Sequence, residues 1–298
     1  MERATGGQPT GLEQVVNGYD NEVYRVDLAG HRRVFVRLRR GGNDSFSQEL
    51  WAMDLAREAG VPVPRVVFDG FVEDKGGTRP AMVMEGAPGQ VLADLLPRLS
   101  PSDRYSTLAD LGSVLRQLHS VNTPGVWRPD QSGTWPNAEE LRRGFVADRI
   151  AEREHLVTAG LTADEVDRTI ALLGAAPDTP PVAGFVLCHG DVTPDHIFID
   201  PELRVSALID WGMWHGGSAV GELAYVSSWA FAEPDLSAIL KGYGGSLFDG
   251  SPRRALALSL VNNLVGHVAH HVTIGDTEGA ANVTASLRRA LVDASKCE

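Results

Sequence analysis

Apolar periodicity along this chain switches once, near residue 86: ahead of it apolar and polar residues alternate, and beyond it apolar residues recur at helical spacing. Strands followed by helices imply an α+β architecture, a small β-rich domain leading a larger, mostly helical one. In the first part Tyr24, Val26 and Leu28 alternate with Val23, Arg25 and Asp27. Past a turn at Gly30, Val34, Val36 and Leu38 alternate with Phe35 and Arg37, which makes a hairpin. The spacing then predicts a helix over 44–59 with Phe46, Leu50 and Met53 on one face and Glu49 bordering that stripe. Gly60 stops it, and Pro62 and Pro64 forbid its continuation. Strands at 65–72 and 80–85 follow, and the second runs into the connector Glu85-Gly86-Ala87-Pro88-Gly89. The boundary is placed there, dividing the chain into 12–86 and 87–298, with residues 1–11 a Gly-, Pro- and Thr-rich leader.

The second part predicts helices at about 102–120, 138–159, 162–174, 220–232, 235–242 and 252–272, with a Trp- and Pro-rich loop before the second. One strand-rich island interrupts them at 185–210. Phe185-Val186-Leu187-Cys188 enters, His189-Gly190-Asp191 turns, Ile197-Phe198-Ile199 exits, and Val205 to Ile209 returns to Asp210.

Composition narrows the function classes. A hydrophobic fraction of 43% and a charged fraction of 22% over 298 residues suit a globular chain of two domains. No apolar run nears the ~18 residues of a membrane span, the start lacks a signal-peptide core, and two cysteines, Cys188 and Cys297, suit a reducing interior. A cytoplasmic protein without a membrane partner is expected. A net charge of −12 disfavours nucleic-acid binding; an acidic surface would concentrate cationic small molecules, or serve solubility alone. Lysines occur only at 75, 241 and 296, so a phosphate-gripping cation is expected to be arginine.

The island carries the chemistry. An antiparallel hairpin over 197–209 returns to where it began, which brings Asp191 and His196 to the same end as Asp210. Two carboxylates and an imidazole there can hold a divalent cation, act as a general base, or cap turns. The spacing matches a phosphoryl-transfer scheme: His-x-Asp at 189–191, a metal position at 196, then a hairpin ending in Asp210-Trp211-Gly212. Upstream, Arg37 on the third strand, Glu49 on the next helix and the Met84–Ala87 hinge stand in the required order. No Walker A motif and no Gly-x-Gly-x-x-Gly occurs, which removes P-loop and Rossmann readings. His267, His270 and His271 have metal-compatible spacing without an accompanying Glu motif, and read as core or substrate-pocket residues. Trp211 and Trp214 read as packing, or as a stacking surface for a substrate ring.

These stretches resemble the aminoglycoside phosphotransferase family, small-molecule kinases related to choline kinases. Leu187 to Ile199 is similar to its catalytic loop, Leu208 to Trp211 to its metal-binding segment, Gly18 to Val26 to its nucleotide loop, and Gly60 to Pro64 to its post-helix turn. The similarity spans about residues 14–230. Three positions depart from the family pattern: Arg37 replaces the usual Lys, His196 replaces Asn, and Glu222 stands in an Asp place. The first two, with the Arg37-Leu38-Arg39-Arg40 strand, resemble macrolide phosphotransferases. The resemblance implies a bilobal protein-kinase-like fold and transfer of the γ-phosphoryl of ATP or GTP to a hydroxyl of a small molecule, foremost an antibiotic. A metabolic kinase of an amino alcohol or sugar, or a nucleotide-binding regulator, is the alternative. It further implies Asp191 as base, and His196 and Asp210 as ligands of Mg²⁺, with Mn²⁺ tolerated. Arg37 paired with Glu49 would grip the phosphates beneath a 17–22 turn containing Asn21, and Met84, Glu85 and Ala87 would meet the base. His189 and Glu222 would brace the loop, and Trp214, His267 and His271 would line the acceptor pocket.

Overall fold

The computed structural model describes residues 6–15, 21–30, 32–40, 45–74, 77–174, 184–229, 231, 234–244 and 251–295. They form two compact units, one of residues 1–98 with 195–212, the other of 99–194 with 213–298.

The first unit is built on a five-stranded antiparallel sheet. Its strands are β1 (Pro9–Val15), β2 (Asn21–Leu28), β3 (Arg32–Arg39), β4 (Val66–Asp74) and β5 (Gly77–Glu85), in the order β1-β2-β3-β5-β4. β3 is central, and Arg37 lies opposite Val23 on one side and Met82 on the other. Strand β1 begins within the stretch read as a leader, residues 1–11, and runs past it to Val15: its residues are mostly exposed, so no core-facing alternation marks it. Helix α1 (Ser47–Glu58) buries Glu49, Ala52, Met53 and Ala56, an i, i+3, i+4, i+7 stripe that runs through Glu49 itself. A short β6 (Gln90–Val91) and α2 (Leu92–Leu95) close the segment. β6 pairs with β8 (Ile197–Ile199), and β8 with β9 (Val205–Leu208). Gly89 permits that approach, since a Cβ there would stand 2.0 Å from the Ile199 carbonyl oxygen. The Leu208 N–H donates to Pro62 O at 2.9 Å, which ties the hairpin to the turn after α1.

The second unit is helical. Helix α3 (Pro101–Leu118) starts at a Ser100 cap that accepts the Asp103 N–H, and it buries Leu108, Leu111, Leu115 and Leu118. The segment read as one helix over 138–159 is two, α4 (Ala138–Ala151) and α5 (Arg153–Thr158), joined at Glu152. α6 (Ala163–Gly174) follows, then β7 (Val186–Cys188), which pairs antiparallel with β10 (His215–Gly217). α7 (Ala219–Trp229), α8 (Asp235–Gly244), α9 (Ser251–Thr273) and α10 (Thr277–Ser295) complete it. The apolar core gathers around α9, with Val261, Leu264, Val265 and Val268 packed against Leu287 and Leu291 of α10 and Leu156 of α5. Among the described residues no helix is long and apolar enough to cross a membrane.

Candidate active site

In the first unit three charged side chains converge from three elements. The Arg37 side chain, 7% exposed, reaches from the middle of β3 to Glu49 on the buried stripe of α1, where its Nη1 donates to Oε1. Its Nη2 donates to Asp210 Oδ1 at 3.3 Å. Burial pushes the Glu49 carboxyl above its ordinary range and the Arg37 charge opposes that shift. Glu49 Oε2 is buried without a hydrogen-bond partner among the described residues. Phe46 floors the cation: Arg37 and Arg39 place their guanidinium carbons 5.5 and 4.4 Å from its ring centroid.

Asp210 sits at the end of the β8–β9 hairpin with φ of 60°, a left-handed conformation rare outside glycine. The Ile209 N–H donates to His196 O at 2.9 Å, and the Trp211 indole N–H donates to Leu208 O at 3.0 Å, which together hold the turn. His196 Nε2 then lies 3.9 Å from Asp210 Oδ2. With bonds of about 2.1 Å one octahedral ion spans about 3.0 Å between adjacent ligands and about 4.2 Å between opposite ones, and this mixed nitrogen and oxygen pair falls between the two. Gly212 leaves room beside it: a Cβ there would be 3.4 Å from Asp210 Oδ1 and 3.8 Å from Arg37 Nη2.

At the hinge, Met84 and Glu85 are the last residues of β5, opposite Phe35 and Val34. The N–H groups of Glu85 and Gly86 donate to Arg65 O and Arg33 O, and Ala87 lies beyond that ladder. Asn21 is buried at the start of β2, opposite Arg39. The remainder of the expected nucleotide turn, 17–20, falls outside the described residues, as do Lys75 and Lys296.

The second unit holds the loop that leaves β7. Its His189 is fully buried, and the Asp191 N–H donates to His189 Nδ1 at 3.2 Å. Gly190 has φ of 82°, and a Cβ would stand 2.1 Å from Met213 O, so only glycine serves here. Its N–H donates to Glu222 Oε1 at 2.6 Å. Glu222 Oε2 meets His119 Nε2 at 2.7 Å, and His119 Nδ1 meets the Tyr243 hydroxyl at 2.9 Å. Burial raises the Glu222 carboxyl, but the His119 and Gly190 contacts outweigh it and hold the group below its ordinary range. Cys188 joins this group with Sγ directed at Val186 O and Ser218 O, its thiol pushed far up by burial. His119, Cys188 and Glu222 are close enough to share an ion, yet both imidazole nitrogens are already engaged, so the cluster is a brace. Asp191 Oδ1 accepts the Tyr225 hydroxyl at 2.9 Å, and the Tyr225 ring meets His267 edge-on at 6.3 Å.

Of its two readings, packing or a stacking surface, Trp214 takes the first. It is 1% exposed, edge-on to Trp135, with the Arg128 guanidinium 5.7 Å away, because packing both faces of an indole is worth more than presenting one. His267 is buried, and His271 is bound to Asp276 at 2.9 Å near the end of α9. His119, Tyr225 and Tyr243 escaped the sequence reading. The one available signal was the Glu-x-x-Tyr spacing of 222 and 225, which puts both side chains on one helical face.

A sequence profile of the phosphotransferase enzyme family matches residues 11–257. Aminoglycoside 3'-phosphotransferase of Streptomyces fradiae is 32% identical over 212 residues, 66% of this chain and 72% of that enzyme. The enzyme of the same name from Streptomyces ribosidificus is 27% identical over 217 residues, covering 70% and 77%. A thermostable aminoglycoside phosphotransferase, solved as a ternary complex with ADP and hygromycin B, superposes with a TM-score of 0.69 at 16% identity, over 98% of this chain and 96% of that one. The α+β fold is thus shared with kinase-like enzymes.

Proposed function

This chain belongs to the phosphotransferase enzyme family and is an NTP-dependent phosphotransferase acting on hydroxyl groups; on that premise we propose that it inactivates an antibiotic by O-phosphorylation, with ATP or GTP as donor. The observation that carries this reading is the single guanidinium of Arg37 joined to both Glu49 and Asp210. A buried cation fixed by a helix acid and a hairpin acid is what a site needs to hold a triphosphate still.

In this reading Arg37 grips the phosphates, and Asn21 lies among the groups that cover them. Main-chain groups at Met84, Glu85 and Ala87 take the base edge. His196 and Asp210 would hold Mg²⁺, which when bound neutralises charge on the β- and γ-phosphates. The imidazole nitrogen among the ligands favours tolerance of Mn²⁺. Asp191, five residues before His196, receives the acceptor's hydroxyl proton. A new oxygen–phosphorus bond forms, the β–γ bridge breaks, and the nucleoside diphosphate leaves. His189 and Glu222 keep the loop in place.

In this reading the acceptor is sought along α4. An open groove of about 470 Å³ there is lined by Asn137, Glu140, Phe145 and Asp148, among others. Two carboxylates beside an aromatic ring suit an amine-bearing sugar, and the relatives from Streptomyces act on such compounds by name.

The test is a panel of aminoglycosides, macrolides and other hydroxyl-bearing antibiotics, incubated with ATP or GTP and Mg²⁺ or Mn²⁺, with mass spectrometry detecting the gain of one phosphoryl group. Transfer to at least one member is expected, lowered about 10²–10⁴-fold in Asp191→Asn. Nucleotide binding without transfer to any antibiotic, or transfer only to a metabolic amino alcohol or sugar, overturns the antibiotic assignment.

A further inference from the structure

Tyr225 lies one helical turn after Glu222 on α7, so both side chains leave the same face. They hold neighbouring residues of one loop: Glu222 accepts the Gly190 N–H at 2.6 Å, and the Tyr225 hydroxyl donates to Asp191 Oδ1 at 2.9 Å. We propose that Tyr225 is a positioning residue for phosphoryl transfer, setting the rotation of the Asp191 carboxylate toward the acceptor hydroxyl; this rests on the reading of Asp191 as the proton acceptor.

The backbone at Asp191 is fixed already, by the left-handed Gly190 and by the Asp191 N–H bond to His189 Nδ1. Its side-chain torsion is another matter. The χ2 of an aspartate is broad and roughly two-fold, so nothing intrinsic selects the plane of the carboxylate. A phenol donor on one oxygen selects it. The donor is itself restrained: the Tyr225 ring meets His267 edge-on, with ring planes 82° apart. Burial, then the Asp191 charge beside it, holds the phenol proton well above its ordinary range, so the group donates throughout the working pH range. Tyr225 keeps that proton through the cycle. The acceptor's proton passes to Asp191 as the oxygen–phosphorus bond forms and the nucleoside diphosphate departs.

Tyr225→Phe removes one oxygen and leaves the ring, which separates positioning from packing. The rate to follow is transfer to the acceptor found by the antibiotic panel or, without one, hydrolysis of ATP with water as acceptor. We expect kcat to fall about tenfold while KM for nucleotide and acceptor stays within about twofold and the melting temperature is unchanged. In an Asp191→Ala background the same substitution should change nothing, because the group it positions is gone. A kcat for Tyr225→Phe within about twofold of wild type, or an equal loss in both backgrounds, overturns the proposal. A wild-type rate in Asp191→Ala alone would instead remove the base assignment, a result read from a different variant.

Discussion

A guanidinium can hold two carboxylates at once because its Nη atoms point apart, whereas an ammonium is a single point charge. Arg37 uses both, one on Glu49 and one on Asp210. Arg37→Lys should therefore keep the Glu49 pair but lose the link to Asp210. We expect KM for the nucleoside triphosphate to rise about three- to tenfold with a smaller change in kcat, measured by steady-state kinetics; an unchanged KM would show that the Asp210 contact does not matter. Arg37→Ala is harsher, since it strands a buried carboxyl that burial already pushes up, and should cost about 3–5 kcal/mol in denaturant unfolding. Arg37, Glu49 and Asp210 were legible in the sequence because each belongs to a spaced pattern on a required element. Tyr225 and His119 were not. Tyr225 lies within α7 and His119 just past the end of α3, and the meaning of each comes from a partner 34 or 103 residues away. Trp214 was legible as packing, the first of its two readings, and it is buried.

Elements were legible where their buried face was apolar and continuous. The leucine stripe of α3 and the alternation of β2 and β3 are of that kind. Strand β1 escaped because it is an exposed edge, and α10 because small residues, Ala280, Thr284, Ala290 and Ala294, supply much of its buried stripe. The pairing of β6 with β8 joins segments about a hundred residues apart, which periodicity cannot announce. Glycines inside helices are a clearer signal. A Cβ on Gly112 of α3 would stand 2.0 Å from Ile239 O of α8, and one on Gly242 of α8 would stand 1.8 Å from Ala109 O of α3. The two backbones meet at this reciprocal pair, and no side chain can rotate away to relieve a clash with a carbonyl. Normally a helical Gly→Ala gains up to about 1 kcal/mol. Here Gly112→Ala should destabilise by about 2 kcal/mol or more in urea unfolding, because the helices must separate to admit the methyl. A neutral or stabilising result would mean that the crossing has slack.

Acid stability belongs to the whole molecule, because it sums every group whose proton affinity changes on folding. The net charge of −12 does not set it. Buried imidazoles act first as pH falls. Burial lowers His267 from 6.5 to about 4, and His215 is lowered for the same reason. Between those two values the unfolded chain binds a proton at position 267 that the folded chain refuses, so the contribution is complete above pH 6.5 and drains away toward pH 4. Paired carboxylates act next. The Arg288 hydrogen bond lowers Glu165 from 4.5 to about 2, so its contribution is present above pH 4.5 and is lost only as pH approaches 2. The two windows are separable by mutation. His267→Phe keeps a ring against Tyr225 but has no proton to take up, so it should remove the His267 share of the first window and leave the second unchanged. At pH 5 the wild type should have lost on the order of 2 kcal/mol through this histidine relative to neutral pH, and the variant should retain it. Urea unfolding of both proteins at pH 7, 6, 5 and 4 measures the difference. Curves that diverge as pH falls from 7 to 4 are expected, and parallel curves across that range would mean that His267 is not the group that makes the fold acid-sensitive.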